Sequence, residues 1–275
     1  MKICLDAGHY ARYNQSPVLP TYYESQAMWQ LQTHLKKALE AYGIQVTLTR
    51  TDQKKDLPLL ARGKKSRGCD LLLSLHSNAA KREDADHAVI FYQVENGSSL
   101  HQIGKDLAEV LAPVITKVME LSEKSPRIAA VRSENDRNGD GAFNDNYYGI
   151  LEGAAQVGTP ALILEHSFHT NLRSAKWLSE NANLKRLAEA HADAIAQYYD
   201  IRKPLYRVQV GAYTVKANAE KMQKKLKAVG YNGFITKIDS YYKVQVGAFT
   251  LKENALGLID KLRSLGFSAI IKSSK

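Results

Sequence analysis

Long apolar runs are missing from this 275-residue chain, and so is any abundance of cysteine. No stretch is long enough to cross a bilayer as a helix, so membrane insertion is not expected. Cys4 and Cys69 are the only cysteines, each inside or beside an apolar run. They read as buried free thiols, not as the staples of a small secreted scaffold. The N-terminus, MKICLDAGHY, lacks a signal-like apolar segment, which is expected of a protein made in the cytoplasm. Acidic residues are scarce at one end only. From Leu205 onward 4 Asp and Glu face 13 Lys and Arg, whereas the first 204 residues hold 24 against 25. The net charge of +10 therefore belongs mostly to the C-terminal end. Such a local excess either attracts a polyanion (nucleic acid, an acidic lipid surface, an anionic wall polymer) or is a solvated helix face bearing Lys221, Lys224 and Lys225.

What is present is an ordinary 44% apolar content and enough length for one large domain and one small one. Strand-like runs alternate with helical ones. KICL leads into DAGH; a helical pattern follows from about Tyr22 to Tyr42 and ends at Gly43. IQVTLTR, DLLLSLHSN, HAVIFYQ and PALILEHSF read as strands. Helices are expected around LPLLARGKKSRG, from Ser98 to Leu121, and from Asn183 to Tyr199. This alternation predicts an α/β domain with a mostly parallel sheet flanked by helices. The segment YDIRKPLYR carries a proline and the charge shift, which places the domains at 1–203 and 204–275.

The C-terminal part is written twice. YRVQVGAYTVKANAEKMQKKL begins at Tyr206 and YKVQVGAFTLKENALGLIDKL at Tyr242, 36 residues on. Each copy reads as strand, Lys-rich helix, glycine (Gly230, Gly266) and second strand. The product is a small α+β βαββαβ domain of ferredoxin-like type, since two copies are too few for a solenoid. Strict alternation puts Val208, Val210 and Ala212 on the helix side. It puts Arg207, Gln209 and Tyr213 on the other side, with Lys243, Gln245 and Phe249 in the second copy.

Three apolar strands of the first domain end on ionisable residues: His9, His76 and Glu165. Ligands in open parallel sheets bind outside the carboxyl ends of the strands, so the three should share one edge. Two neutral imidazoles and a carboxylate suit zinc, with water in the fourth position. Glu24, at the start of the first helix, is the acid best placed as third protein ligand. Zinc would polarise an amide carbonyl and acidify water, leaving Glu165 to take the proton and pass it to the leaving nitrogen. Asp6 is expected to orient His9.

LDAGHY, the glutamate some fifteen residues later, SLHSNA and LEHSFHTN together resemble the zinc N-acetylmuramoyl-L-alanine amidases of the Amidase_3 type, from Met1 to about Tyr199. The resemblance implies zinc on His9, Glu24 and His76, catalysis by Glu165, and cleavage between the lactyl group of muramic acid and the first alanine of the stem peptide. His166 and His169 depart from the pattern of many members; lining of the cleft or a packed role stays open for both. Asn171 fits the family and is suited to cap the next helix. The C-terminal VQVGAY and VQVGAF strands resemble a SPOR domain, which implies binding to peptidoglycan glycan strands, especially where stem peptides have been removed. Amide, cation and ring on one sheet face (Arg207, Gln209, Tyr213, Lys243, Gln245, Phe249) suit a sugar polymer. A wall enzyme without a leader would act only after release, through a holin or by mother-cell lysis.

Other readings remain beside this one. RNA-recognition sheets share the βαββαβ topology, but their usual aromatic pair is not evident and nucleic acid is not an expected partner. A non-catalytic wall-binding or regulatory protein on an amidase fold, or another zinc amidohydrolase or carboxypeptidase, would use the same residues. DRNGDGAFNDNYY starts like a calcium loop at Asp136, Asn138 and Asp140, yet its twelfth position is Tyr147 instead of the bidentate glutamate; it reads as a polar turn. Arg50 and Arg62 could contact anionic substrate groups. His34, His87, His101 and His191 read as surface or helix residues.

Overall fold

The structure is a computed structural model and describes residues 1–274. The chain divides into two compact units, one of Met1–Glu40 with Ile44–Ile201, the other of Arg202–Lys275 with Ala41–Gly43. The first unit runs β1 (Lys2–Ala7), α1 (Glu24–Glu40), β2 (Gln45–Leu48), α2 (Leu59–Lys64), β3 (Leu71–Asn78), β4 (Val89–Tyr92), α3 (Leu100–Val118), β5 (Arg127–Ala130), α4 (Gly149–Ala155), β6 (Ala161–Phe168), α5 (Leu172–Ser179) and α6 (Asn181–Tyr198). Its six strands are ordered β2-β1-β3-β6-β4-β5. Every pairing is parallel except that of β4 with β6. This is the expected mostly parallel sheet with one antiparallel junction.

β3 explains why the sheet needs cover on both faces. Its leucines alternate sides and its first five residues are all buried, as in strands clad twice by helices. Cys4, Leu72, Ala161 and Ile163 pack with Ile150, Leu151 and Ala154 of α4 on one face. α1 and α3 pack on the strands, and α6 packs on both of them. Both cysteines are free and buried, and burial pushes the Cys4 thiol up to about 12, leaving it inert.

Three elements have little local signal: β5, α4 and α5. α4 exists because α2 can reach it. A Cβ on Gly63 would lie 2.2 Å from the Ile150 carbonyl oxygen, and one on Gly153 would lie 2.1 Å from that of Leu60. The two short helices thus cross backbone to backbone, and only glycine fits at either contact.

The second unit runs β7 (Leu205–Tyr213), α7 (Lys216–Ala228), β8 (Phe234–Ile238), β9 (Tyr241–Phe249), α8 (Lys252–Ser264) and β10 (Ile270–Ser274). Its sheet, ordered β10-β7-β9-β8, is wholly antiparallel, which is the expected ferredoxin-like arrangement. The repeat supplies the core in pairs: Val208 with Val244, Ala219 with Ala255, Leu226 with Leu262.

Strict alternation fails in β7 and β9. The register runs Val208 to Gly247, then Gln209 to Gln245, then Gly211 to Val244, so Val246 and Val210 are each an extra, bulged residue. Beyond the bulge the faces exchange. Tyr213 and Phe249, expected beside the glutamines, pack on the helix-side core. Ala212, expected in that core, is exposed and lies opposite Lys243.

Gly63→Ala is expected to cost about 2–3 kcal/mol by overpacking the α2–α4 crossing. That should appear as a fall of roughly 5–10 °C in thermal midpoint. An unchanged midpoint would mean that the crossing relaxes freely.

Candidate active site

β1 ends at Ala7 and the chain turns sharply, with His9 itself at φ 57°. Gly8 makes the turn possible, because a Cβ there would stand 2.6 Å from the His76 ring. His76 lies near the end of β3, and Glu24 opens α1. His9 Nε2 is 3.2 Å from Glu24 Oε2, and His76 Nδ1 is 2.9 Å from Glu24 Oε1. One donor atom from each residue lies within 4.8 Å of the others; among the described residues this is the one group of three or more such ligands. The sequence-predicted trio is therefore brought together.

Glu24 is only 1% exposed. Its carboxylate also accepts the Ser77 backbone N–H at 3.0 Å and the Asn14 side-chain amide. Burial alone would push Glu24 up, but hydrogen bonds from His76 and His9 hold it well below the usual carboxylate range. Burial likewise opposes a charge on His76, yet the Glu24 carboxylate wins and lifts the imidazole to about 9.

Asp6 supports a different histidine from the expected one. Its oxygens accept Thr49 Oγ1–H and Ser74 Oγ–H, and Ser74 Oγ in turn accepts His76 Nε2–H at 3.1 Å. Asp6 thus orients His76 through Ser74, because their strands pair side by side, while His9 has already left the sheet. Arg62 lies 3.6 Å from Asp6 and also binds Asp56 and the Leu57 carbonyl. Arg50 donates to the carbonyls of Ala7 and Lys55. Both arginines are buried and hold the loops around the site, which corrects their reading as substrate contacts.

Glu165 stands opposite His76 in the β3–β6 register. Just beyond, the register slips by one residue, and Ser167 takes φ 62°. The left-handed turn is held by Asp86, whose Oδ1 accepts both Ser167 and Ser174 hydroxyls. Glu165 Oε2 is buried without a hydrogen-bond partner among the described residues. Burial lifts this carboxyl to about 7, with the Glu24 charge adding to the rise and His76 opposing it.

His166, His169 and His191 are packed in the interior. His166 Nδ1–H donates to the His76 carbonyl at 2.9 Å, and its Nε2 faces His191 Nε2 at 2.9 Å. Burial pulls His166 down to about 4 and His191 well below its usual value, so the pair is neutral. His169 Nδ1 sits 3.0 Å from Ser77 Oγ, and its ring stacks on Tyr22. His191 and His87, read from sequence as surface or helix residues, are both buried. Asn171 caps α5 by accepting the Ser174 N–H. Asn14, Ser74, Ser77, Asp86 and Tyr22 escaped sequence reasoning; the serines on either side of the ligand in SLHS were the available signal.

In the DRNGDG turn, Asp136 accepts the N–H groups of Gly139 and Gly141 at 2.7 and 2.9 Å. Its carboxylate closes the loop.

On the open sheet face of the second unit, Arg207, Gln209, Lys243 and Gln245 line one shallow groove with Thr236 and Lys272. Tyr213 and Phe249 are absent from it. Ile238 is the apolar residue lining the groove, and two further exposed apolar residues not singled out in the sequence stand on the same face. Phe234, 65% exposed, lies opposite Gln245, and Ile270, 46% exposed, lies opposite Gln209. These two are equivalent positions of the 36-residue repeat. No helix among the described residues is long and apolar enough to cross a membrane.

The sequence pattern of Amidase_3, N-acetylmuramoyl-L-alanine amidase, matches residues 3–197, and that of the SPOR domain matches residues 202–273. The N-acetylmuramoyl-L-alanine amidase CwlM of Bacillus licheniformis is 27% identical over 246 residues, covering 87% of this chain and 86% of that protein. The sporulation-specific N-acetylmuramoyl-L-alanine amidase of Bacillus subtilis (strain 168) is 27% identical over 201 residues, covering 71% and 68%. Among solved structures, the catalytic domain of CwlV, an N-acetylmuramoyl-L-alanine amidase from Bacillus (Paenibacillus) polymyxa var. colistinus, has a TM-score of 0.57 at 20% identity, covering 73% of this chain and 99% of that one. The N-acetylmuramoyl-L-alanine amidase from Clostridium difficile 630 has a TM-score of 0.58 at 20% identity, covering 72% and 96%. At that identity the likeness concerns the fold. The chain belongs to the N-acetylmuramoyl-L-alanine amidase family Amidase_3 and carries a C-terminal SPOR domain.

Proposed function

We propose that this peptidoglycan amidase is a zinc enzyme in which His9, Glu24 and His76 hold the ion and Glu165 moves the proton. The observation that carries the reading is the convergence of three buried or half-buried donors within 4.8 Å, beside a carboxyl oxygen that has no partner among the described residues. Two imidazole nitrogens and one carboxylate are a donor set that zinc accepts in catalytic sites with an open position. Zinc bound there would supply Lewis-acid polarisation of the scissile carbonyl and a water acidified toward neutral pH. Glu24 neutralises charge and fixes both rings. Ser74 and Asp6 hold the far nitrogen of His76, and Ser77 and Asn14 hold Glu24.

Glu165, with its pKa lifted to about 7, is suited both to accept a proton and to return it. It would take the proton of the attacking water and deliver it to the leaving nitrogen of L-alanine, freeing the lactyl carboxylate of muramic acid. The SPOR domain binds peptidoglycan. Its glycan contacts would be Arg207, Gln209, Lys243 and Gln245, with Phe234 and Ile270 offering apolar surface to pyranose faces.

Glu165→Gln should retain equimolar zinc and lose about 10²–10⁴-fold in kcat on purified peptidoglycan, whereas His76→Ala should lose the zinc itself. Equal peptide release by wild type and Glu165→Gln, both loaded with zinc, would end the catalytic assignment.

Zinc affinity should depend on pH. In the metal-free site His76 keeps its proton up to about pH 9, and a ligand imidazole must be neutral. Binding therefore expels a proton, and the apparent affinity should weaken by about tenfold per unit as pH falls below that value. Calorimetry in buffers of different ionisation enthalpy would count the proton released.

Substituting Gln209 and Gln245 together by alanine removes two hydrogen-bonding groups worth about 1 kcal/mol each. Retention on purified wall should fall by roughly 30-fold, with cleavage of small soluble muropeptides unchanged.

A further inference from the structure

Between the first turns of α2 and α4 lies a cleft of about 530 Å³, lined by Leu59, Leu60, Arg137, Tyr147, Tyr148 and Gly149. Leu59 and Tyr147 are each 54% exposed at its rim. The cleft adjoins the candidate active site. The Tyr148 ring packs on Phe91 at 4.7 Å, and Phe91 sits on the strand paired with β6 two residues from the partner of Glu165. Burial and then the nearby Glu165 charge push the Tyr148 phenol up to about 12.

Arg137 is the charged group of this apolar cleft. Its backbone N–H is tied to Asp145, its Nε donates to Ser133 Oγ at 3.2 Å, and its Nη1 lies 3.8 Å from where a Cβ of Gly149 would stand. Neither Nη atom has a hydrogen-bond or ion-pair partner among the described residues. The neighbouring acids do not compete for it. Asp136 is engaged by Gly139 and Gly141, and Asp145 by the N–H groups of Arg137 and Asn138. A tethered guanidinium with its Nη edge open is a bidentate carboxylate reader.

We propose that this cleft receives the stem peptide and that Arg137 pairs with the free α-carboxylate of its second residue. The inference rests on the amidase reading above. On the leaving side of the scissile bond, alanine is followed by D-glutamate linked through its γ-carboxyl. Its α-carboxyl is therefore either a carboxylate or, when amidated, a neutral carboxamide. It is the first anionic group beyond the bond, roughly 7 Å from the scissile nitrogen at an extended reach of two residues. Leu59, Leu60 and Tyr147 would cover the aliphatic part of the peptide. Arg137 makes the enzyme selective for stems whose second residue is not amidated.

The test uses the full chain carrying Glu165→Gln, loaded with zinc, and calorimetric titration with muramoyl-L-alanyl-D-glutamate and muramoyl-L-alanyl-D-isoglutamine. The acid should bind about tenfold more tightly, near the low end for a charged hydrogen bond. Adding Arg137→Gln should remove that preference and leave affinity for the carboxamide unchanged, which also reports an intact fold. Arg137→Lys should restore part of it. Equal affinities for the two peptides, binding of neither, or a parallel loss of both in Arg137→Gln would overturn the proposal. Wild-type turnover measured alongside keeps the two readings apart: the acid preference without cleavage supports the cleft and sinks the activity.

Discussion

The buried carboxylate of Glu24 is the constraint around which the first domain is arranged. An ionised group at 1% exposure is tolerable only when its lone pairs are met. Here two imidazoles, one backbone N–H and one side-chain amide meet them. The donors come from three segments: the turn after β1, the end of β3 (His76 and the Ser77 N–H), and the loop before α1. Removing one would leave the charge under-satisfied, and the others would then hold an acid instead of a ligand. The close passage of β1 past His76 at Gly8, and the buried arginines that tie down the neighbouring loops, follow from the need to bring these segments together.

A second carboxylate a short distance away is treated in the opposite manner. Glu165 is also buried, but one of its oxygens has no donor among the described residues. Desolvation therefore dominates and its pKa rises to about 7, while Glu24 is held low. Two glutamates of identical chemistry are separated into a permanent anion and a proton carrier by their hydrogen bonds and by the charges around them. Just past Glu165 comes the β6 slip. Ser167 could not hold its left-handed backbone without local hydrogen bonds to offset it, and Asp86 provides them from the loop before β4. His166, freed by the same irregularity, turns inward to hold the His76 carbonyl.

How much of this is legible in the sequence follows from the range of each interaction. His9, His76 and Glu165 are readable because strand ends in parallel sheets share an edge, and Glu24 because an acid opens the first helix. Asn14, Asp86 and His191 are not, since each gains meaning only from a partner that the fold brings up, and His191 meets a strand residue 25 positions away. Asp6 was legible as a supporting residue but not as to which ring, because strand pairing, not chain proximity, decides that. α4 was hidden for a similar reason: GILEGAA has little helical signal, and the glycine crossing that stabilises it involves residues some 90 positions apart. On the C-terminal sheet the valines and glutamines were correctly sided. Tyr213, Phe249 and Ala212 were not, because period-two alternation cannot anticipate a bulge.

Those bulges also account for the form of the repeat. A single extra residue in one strand would leave everything beyond it one step out of register and turn its side chains to the wrong face. In this sheet Val246 shifts the β9 register by one, and Val210 in β7 restores it after a single pair, Gln209 with Gln245. The two residues are equivalent positions of the two copies. Each bulge is thus compensated by its own duplicate, and the strands leave the centre of the sheet in the register in which they entered. The same equivalence sets Gln209 directly opposite Gln245 and flanks them with Phe234 and Ile270. Writing the segment twice is what lets two irregular strands pair along their whole length while presenting a matched polar and apolar surface on one face.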